Sequence, residues 1–458
     1  MYKLISYSIK LKEGFLDPIN SNLGLKQGCP LSPKLFNLYI DDIKDNFDEL
    51  CHPVALAETK ITHFLYADDL VLISYTKTGL QRCLDRVYEF SSQKHLTVST
   101  KKSKTMIFNP SGRMIKQDFV INGTALETVG SFCYLGFEVK ASGTIKFAIK
   151  TLYEKANKAM RPLFHAISKF NLPARTCIHL FHTLIAPIVL YNVENCISLS
   201  AKQLDTFTED TFAMDNNEVN LILLKFILGV SKSTPNLTVL GDTGEIPLLF
   251  KGYKLALNFW HRVHSLPNEI LVKQALNENV VMRSTWIRTI EKLFDFFKIT
   301  YTENRIKFKA AVNKSVDNKF MEKWNLEIHN TESGRLEFYK TIKNTFGYED
   351  YLELKFEFRK NIAKIRCSSH ILEIERGRHS KTARMDRLCT VCDMNEVETE
   401  DHFLTNCPTF RTLRDKCALT EFTRGSDLFS FTTPNLLGYF ITEALLIRKA
   451  AVENTTVP

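Results

Sequence analysis

The chain has little that would place it in a membrane or outside the cell. No apolar run approaches the roughly 18 residues that a spanning helix needs, since the longest apolar stretch, residues 180–191, contains His182, Thr183 and Pro187. The first residues lack the sustained apolar segment of a secretory signal. The cysteines number 11, an odd count spread over 458 residues, and do not form a dense disulfide framework. These absences predict an intracellular protein, cytoplasmic or nuclear, with no membrane partner.

The chain also lacks internal repeats, low-complexity tracts and a large charge excess. Lys and Arg number 60 against 51 Asp and Glu, which gives a net charge of only +9. The excess is uneven, because residues 355–388 carry ten basic and four acidic side chains, a net +6. Such a block suits phosphate contact, although a solvated helix face is the ordinary alternative. Arg359, Lys360, Lys364 and Arg366 are therefore predicted to bind nucleic acid.

Two adjacent aspartates, Asp68 and Asp69, lie between the short apolar runs 64–67 and 70–73. These runs predict two buried strands, joined as a hairpin by a two-residue Asp-Asp link. Neighbouring carboxylates repel each other and are costly to desolvate. A divalent cation would offset that cost, and hard oxygen ligands suit Mg²⁺ or Mn²⁺. The alternative is a solvated Asp-Asp turn without a metal.

A glycine-containing loop and a helix precede this hairpin. Residues 24–33 read GLKQGCPLSP, with Ser32 predicted as helix N-cap and Pro33 at the first helical position. The apolar residues that follow have helical spacing: Leu35, Phe36, Tyr39, Ile40, Ile43 and Phe47. The order is thus loop, capped helix and Asp-Asp hairpin.

This order resembles the palm of the reverse transcriptases of non-LTR, LINE-type retrotransposons. The residues that carry the resemblance are KQGCPLSPKLFNLYIDD at 26–42 and YADD at 66–69. It continues in LTVSTKKSKTMIF at 96–108, YLG at 134–136 and ILGVSKSTPN at 227–236, and so spans roughly residues 5–417. Within 96–108, Ser99 and Ser103 stand where the family usually has Asn and Thr.

The resemblance implies an RNA-directed DNA polymerase that uses an RNA template, a DNA primer and dNTPs. Asp68 and Asp69 would be its catalytic, Mg²⁺-binding or Mn²⁺-binding carboxylates. The same resemblance assigns nucleotide binding to Gln27, Gly28, Tyr66 and Lys104.

One carboxylate of the family pattern is missing. Polymerases of this type hold two metal ions with three carboxylates, and the first comes from a strand before the Gln-Gly loop. Only Glu13 and Asp17 are acidic before Gly28, and neither lies between an apolar strand and a helix. The sequence therefore predicts an N-terminally truncated reverse transcriptase that is inactive alone. The alternatives are a non-catalytic, zinc-dependent RNA-binding or DNA-binding protein derived from the element, and a translated fragment without a maintained role.

A second chemical feature is the pattern Cys389-x2-Cys392-x9-His402-x4-Cys407. Its spacing lets three thiolates and one imidazole reach a single Zn²⁺. Such a short module has little core, so metal would supply much of its folding free energy. Cys417, His370 and His379 are less well spaced as ligands.

The predicted fold class is α+β: a partial reverse-transcriptase palm, an antiparallel sheet with helices, followed by a mostly helical region and a small zinc knuckle. The predicted segments are a partial palm at 1–145, a thumb-like helical region at 146–200, a helical connection at 201–350, the basic segment with the knuckle at 351–420, and a helical tail at 421–458. The polar, acidic stretch 201–220 is predicted to be a loop or a poorly packed insert.

Overall fold

Within the part of the chain that the structure describes, all strands lie before residue 141, and helices dominate the remainder. This computed structural model describes residues 5–21, 24–26, 28–109, 111, 113–198, 219–330 and 334–455. Two compact units are present, Met1–Ile145 with Pro267–Glu278, and Lys146–Leu266 with Asn279–Pro458. The predicted α+β class is confirmed. The finer segment boundaries stay predictions. Residues 201–218 of the predicted insert 201–220 lie outside the described residues, and Val219 begins a helix.

The strands of the first unit are short and pair mainly with their neighbours in sequence. They are β1 (Ile5–Tyr7), β2 (Lys10–Leu11), β3 (Gly14–Phe15), β4 (Ile19–Ser21), β5 (Val54–Leu56), β6 (Thr59–Ile61), β7 (His63–Tyr66), β8 (Asp69–Leu72), β9 (Lys104–Thr105), β10 (Phe119–Ile121), β11 (Thr124–Thr128), β12 (Ser131–Tyr134) and β13 (Phe137–Lys140). Among the described residues the pairs β1–β4, β2–β3, β5–β6, β7–β8 and β12–β13 are antiparallel, and β11 pairs antiparallel with β10 and parallel with β9.

Two helices, α1 (Ser32–Ile40) and α2 (Lys77–Gln93), belong to the same unit, and α2 packs against β8 and β10. The N-cap prediction for Ser32 was wrong, because Ser32 already lies in the helix and its Oγ donates to the Lys26 carbonyl at 2.8 Å, which closes the preceding loop. Thr76 caps α2 by accepting the Gly79 N–H at 3.0 Å.

The apolar face of α2 forms the core of the first unit. Leu84, Val87 and Phe90 are buried, as expected of residues three apart on one face of a helix. Leu84 packs with Phe119, and Val87 and Phe90 pack with Ile43, in two small clusters.

The second unit is helical. Its helices are α3 (Lys146–Phe170), α4 (Ala174–Leu184), α5 (Ala186–Val189), α6 (Val193–Cys196), α7 (Val219–Leu228), α8 (Asn236–Thr243), α9 (Leu248–His264), α11 (Thr285–Phe297), α12 (Arg305–Asn330), α13 (Glu337–Ile342), α14 (Phe356–Arg366), α15 (Glu373–His379), α16 (Arg411–Lys416), α17 (Gly425–Phe431) and α18 (Pro434–Thr455), while α10 (Leu271–Val281) bridges the sequence boundary between the units. No helix of the described residues is long and apolar enough to cross a membrane.

The second unit has one large apolar core with a buried ionic group inside it. Trp324 is 1% exposed and its indole N–H donates to the Leu237 carbonyl at 2.8 Å. Asp242, at the end of α8, is fully buried and accepts two hydrogen bonds from Arg366 of α14, at 2.8 and 2.9 Å. The hydroxyl groups of Tyr339 and Tyr351 donate to the same carboxylate at 2.9 and 2.7 Å. Four donors therefore compensate the desolvation of one carboxylate.

The last helix packs closely on α14. A Cβ added at Gly438 of α18 would lie 2.8 Å from the Cβ of Phe358, so only glycine permits this approach. This contact brings the C-terminal helix against the helix that carries Arg366.

Candidate catalytic hairpin and metal centre

The hairpin that carries the aspartates forms where it was predicted, but its turn is displaced by one residue. Tyr66 pairs with Asp69 and Leu65 with Leu70, so the turn consists of Ala67 and Asp68 and not of the two aspartates. Ala67 has φ +52°, a left-handed conformation that favours glycine. Asp68 therefore lies at the tip, and Asp69 is the first residue of β8.

The prediction of two buried strands was wrong. Phe64 is 39% exposed, Tyr66 is 63% exposed, and both aspartates are exposed. Among the described residues β7 and β8 pair only with each other, so the sheet is too narrow to bury both of its faces. The exposed carboxylates have room for a metal ion and its water ligands, which Mg²⁺ usually keeps.

Tyr134, which sequence reasoning gave no site role, lies close to Asp69. Burial, together with the negative charge of Asp69, raises the pKa of the Tyr134 phenol. Tyr134 ends β12 and belongs to the YLG motif, so its motif was visible in the sequence, but its neighbour was not.

The predicted nucleotide-binding residues are placed as follows. Gln27 lies outside the described residues. Gly28 is exposed with φ +79° and has open space where a Cβ would be. The Lys104 ammonium pairs with Glu127 of β11 at 2.6 Å, so binding of a phosphate by Lys104 would compete with this ion pair. Their role in nucleotide binding stays a prediction.

The four predicted zinc ligands converge. Each residue contributes one ligand atom, and these four atoms lie within 4.8 Å of one another: those of Cys389, Cys392, His402 and Cys407. A tetrahedral Zn²⁺ with bonds of about 2.3 Å to sulfur requires ligand atoms about 3.8 Å apart. The donor set and its spread therefore fit a structural Zn²⁺ site.

Local backbone geometry brings the ligands together. Leu388 and Val397 form a β-bridge, and the Cys389 N–H donates to the Glu396 carbonyl at 2.8 Å. A π-helical turn, His402–Asn406, then leads to Cys407. The turn places the imidazole and the last thiol on the same side as the two earlier cysteines.

The acid–base properties of the group are strongly coupled. A hydrogen bond from the Cys389 thiol, with help from His402, lowers the pKa of Cys407 to about 3. Burial opposes protonation of His402, but hydrogen bonds to Cys407 and Glu396 outweigh it and raise its pKa. Because zinc binds thiolates and neutral imidazole, metal binding must displace the protons that the group holds.

The alternative ligands lie outside this group. His370 pairs with the buried Glu400 at 2.9 Å, and Cys417 is buried in the apolar core. Phe403 and Phe410 are fully buried, with ring centroids 5.0 Å apart. They therefore form a small core beside the ligands and are not available to stack on bases.

The structure divides the four predicted nucleic-acid-binding residues into two pairs. Arg359 and Arg366 are 2% and 3% exposed. Arg359 donates to the Leu352 carbonyl at 3.2 Å, and Arg366 is held by Asp242. Neither guanidinium is accessible to phosphate in this fold, whereas Lys360 and Lys364 are partly buried and keep some contact with solvent.

A second basic surface, which sequence reasoning missed, lies on α3. Its buried face consists of Ala148, Leu152, Ala156, Met160, Leu163 and Ile167. Its exposed face carries five basic residues and one acidic residue: Lys150, Glu154, Lys155, Lys158, Arg161 and Lys169. At about 100° per residue these positions fall within an arc of about 140°. Counting basic residues by their angle on the predicted helix would have revealed this surface.

Comparison with known proteins finds a matching protein family and several similar individual proteins. The family model described as reverse transcriptase (RNA-dependent DNA polymerase) matches residues 3–139. The chain is 29% identical over 164 residues to the Pol polyprotein of the type-1 retrotransposable element R2 of Nasonia vitripennis, covering 34% of this chain and 16% of that protein. It is 27% identical over 194 residues to the corresponding protein of Popillia japonica, covering 39% and 31%.

A relative from Drosophila melanogaster, the Pol polyprotein of the type-2 element R2DM, is 33% identical over 132 residues, which is 27% of this chain and 12% of that protein. The chain therefore spans less than a third of the length of each of these relatives. Residues 3–139 belong to the reverse transcriptase family, and the chain is related to the non-LTR retrotransposons of the R2 type.

Proposed function

We propose that the chain supplies part of the palm of an RNA-directed DNA polymerase, with Asp68 and Asp69 as its metal-binding carboxylates. The observation that supports this most directly is the exposed hairpin tip, where both aspartates reach solvent within the segment matched by the reverse transcriptase family. RNA template, DNA primer and dNTPs are the partners that follow. Mg²⁺ or Mn²⁺, when bound, would stabilise charge on the transferring phosphate.

We further propose that these 458 residues alone do not extend a primer. Glu13 lies in the turn between β2 and β3, and Asp17 lies in the link between β3 and β4. Neither is followed by a helix as the first carboxylate of the family would be. The chain then offers two carboxylates where two divalent ions are usually held by three.

A primer-extension assay with the purified chain, an RNA template and each metal in turn tests this proposal. We expect no detectable product. In a separate measurement, Mn²⁺ binding is monitored through the paramagnetic broadening of the NMR resonances of the hairpin, and Asp68→Ala should weaken this binding. Efficient dNTP incorporation that disappears in Asp68→Ala would overturn the proposed inactivity and keep the assignment of the site. Unchanged Mn²⁺ binding in Asp68→Ala would overturn the site.

The second candidate function is zinc-dependent binding of RNA or DNA without catalysis. The convergence of three thiols and an imidazole favours it, because a closed four-ligand set is typical of structural zinc. The α3 surface, Lys360 and Lys364 would contact phosphates. Arg359 and Arg366 would act only by holding α14 in place.

A salt titration of single-stranded RNA binding by the full chain tests this function. Counterion release predicts that log K falls with log salt by about 0.7 for each phosphate contact. Binding that does not respond to salt would exclude a phosphate-binding surface, and binding that survives complete zinc removal would exclude zinc dependence.

A further inference from the structure

Glu396 contacts two of the four ligand-bearing segments of the proposed zinc site. Its carboxylate oxygen Oε2 lies 2.9 Å from Nδ1 of His402. Its main-chain carbonyl accepts the N–H of Cys389 at 2.8 Å. Asn395, immediately before it, has φ +54°, a conformation that asparagine tolerates better than most residues. This turn directs the Glu396 side chain back towards His402.

The Glu396 contact decides which nitrogen of His402 faces the cysteines. Because a carboxylate can only accept, Nδ1 must carry the proton in this hydrogen bond. The lone pair of the neutral ring is then on Nε2, which lies 3.4 Å from Sγ of Cys392. The His402 side chain is 3% exposed, whereas that of Glu396 is 49% exposed, so the ring is enclosed and the carboxylate holds it from the solvent side.

We propose that Glu396 is a positioning residue of this zinc site, which fixes the tautomer and the ring orientation of His402. The inference depends on the zinc site proposed above and goes beyond its four ligands. Hydrogen bonds of this kind to a metal-bound imidazole typically change metal affinity 10–100-fold. Glu396 does not bind the metal itself.

Zinc affinity of the full chain, measured by competition with a chromophoric chelator, tests the proposal. We expect Glu396→Leu to weaken zinc binding by about 10–100-fold. Glu396→Gln keeps an acceptor oxygen for Nδ1–H and should recover most of that loss. The matched control is Asp393→Asn, which removes an exposed carboxylate from the same loop and should leave the affinity within about twofold of the unchanged chain.

Two results separate positioning from general effects of charge or folding. Circular dichroism at saturating zinc should be the same for all variants, and the Co²⁺-loaded Glu396→Leu variant should show an altered d–d spectrum. Equal weakening by Asp393→Asn would mean that only negative charge matters and would overturn the proposal. Unchanged affinity in Glu396→Leu would overturn it as well.

A measurement on the unsubstituted chain covers the case in which Glu396→Leu does not fold. The ¹⁵N shifts of His402 in the zinc-loaded protein should show a protonated Nδ1 and a metal-bound Nε2, and the opposite assignment would refute the inference. Failure of the unsubstituted chain to bind zinc would overturn the zinc site itself. Zinc binding that is indifferent to Glu396 would overturn only the positioning role.

Discussion

Replacing Asp242 with alanine should destabilise the helical unit more than any surface substitution. The carboxylate is fully buried and accepts hydrogen bonds from Arg366, Tyr339 and Tyr351. Among the described residues, its removal leaves the buried guanidinium with only Glu349, at 3.3 Å, as a carboxylate partner. Breaking one partner of a buried ion pair costs about 3–5 kcal/mol, and each buried hydroxyl left without an acceptor costs about 1–3 kcal/mol. Partial relaxation reduces the sum, so we expect a loss of about 4–6 kcal/mol.

The free energy of unfolding from urea titration, monitored by tryptophan fluorescence, measures this loss. Trp324 reports on this region because it lies in the same core and its indole N–H donates a hydrogen bond to Leu237 of α8, the helix that also carries Asp242. Asp295→Asn is the matched control, because Asp295 is exposed on α11 of the same unit, and surface substitutions usually change stability by no more than about 0.5 kcal/mol. A loss below about 1 kcal/mol for Asp242→Ala would refute the assignment of this group as a principal stabilising contact.

Acid should produce part of the same effect in the unsubstituted chain. Burial opposes ionisation of Asp242, but the charge of Arg366 outweighs it, so the folded-state pKa lies below the ordinary value. A carboxylate with a depressed pKa contributes stability that is present above its unfolded pKa of about 3.9 and is lost as pH falls through the folded pKa. The free energy of unfolding should therefore decline below about pH 4, and less steeply in Asp242→Ala.

Three further predictions concern metal, nucleic acid and helix capping. Native mass spectrometry should find one zinc per chain, and chelation should remove it and unfold the segment around the ligands; a metal-free chain with the same protection against hydrogen exchange would contradict this. Changing Lys158, Arg161 and Lys169 to Gln should reduce the salt slope of single-stranded RNA binding by up to about 2, since each phosphate contact contributes about 0.7; an unchanged slope would exclude α3 from the interface. Thr76→Ala should cost about 1 kcal/mol by removing the N-cap of α2, and a cost near zero would show that water replaces the hydroxyl.

The sequence predicted the α+β class and the hairpin because these depend on short-range patterns. Short apolar runs on either side of the two aspartates indicated β7 and β8, and helical spacing of apolar residues indicated α1. The turn was misplaced by one residue because strand pairing extended to Tyr66 and Asp69, which forced Ala67 into a left-handed conformation. Burial of the hairpin was overestimated because burial depends on neighbouring strands and not on the apolar character of the run.

The metal centre depends on local sequence spacing, whereas the accessibility of the basic segment depends on tertiary packing. Ligand spacing in the sequence was sufficient to predict the group at Cys389, because a β-bridge and one helical turn are local devices that bring near residues together. The sequence could not decide which basic side chains remain accessible. Arg366 was predicted to bind phosphate, yet it is buried against Asp242, 124 residues earlier in the chain. The chain's own spacing therefore determined its local chemistry, while only tertiary packing decided which charges meet solvent, because an ion pair between distant residues forms only after the helices that carry them have packed.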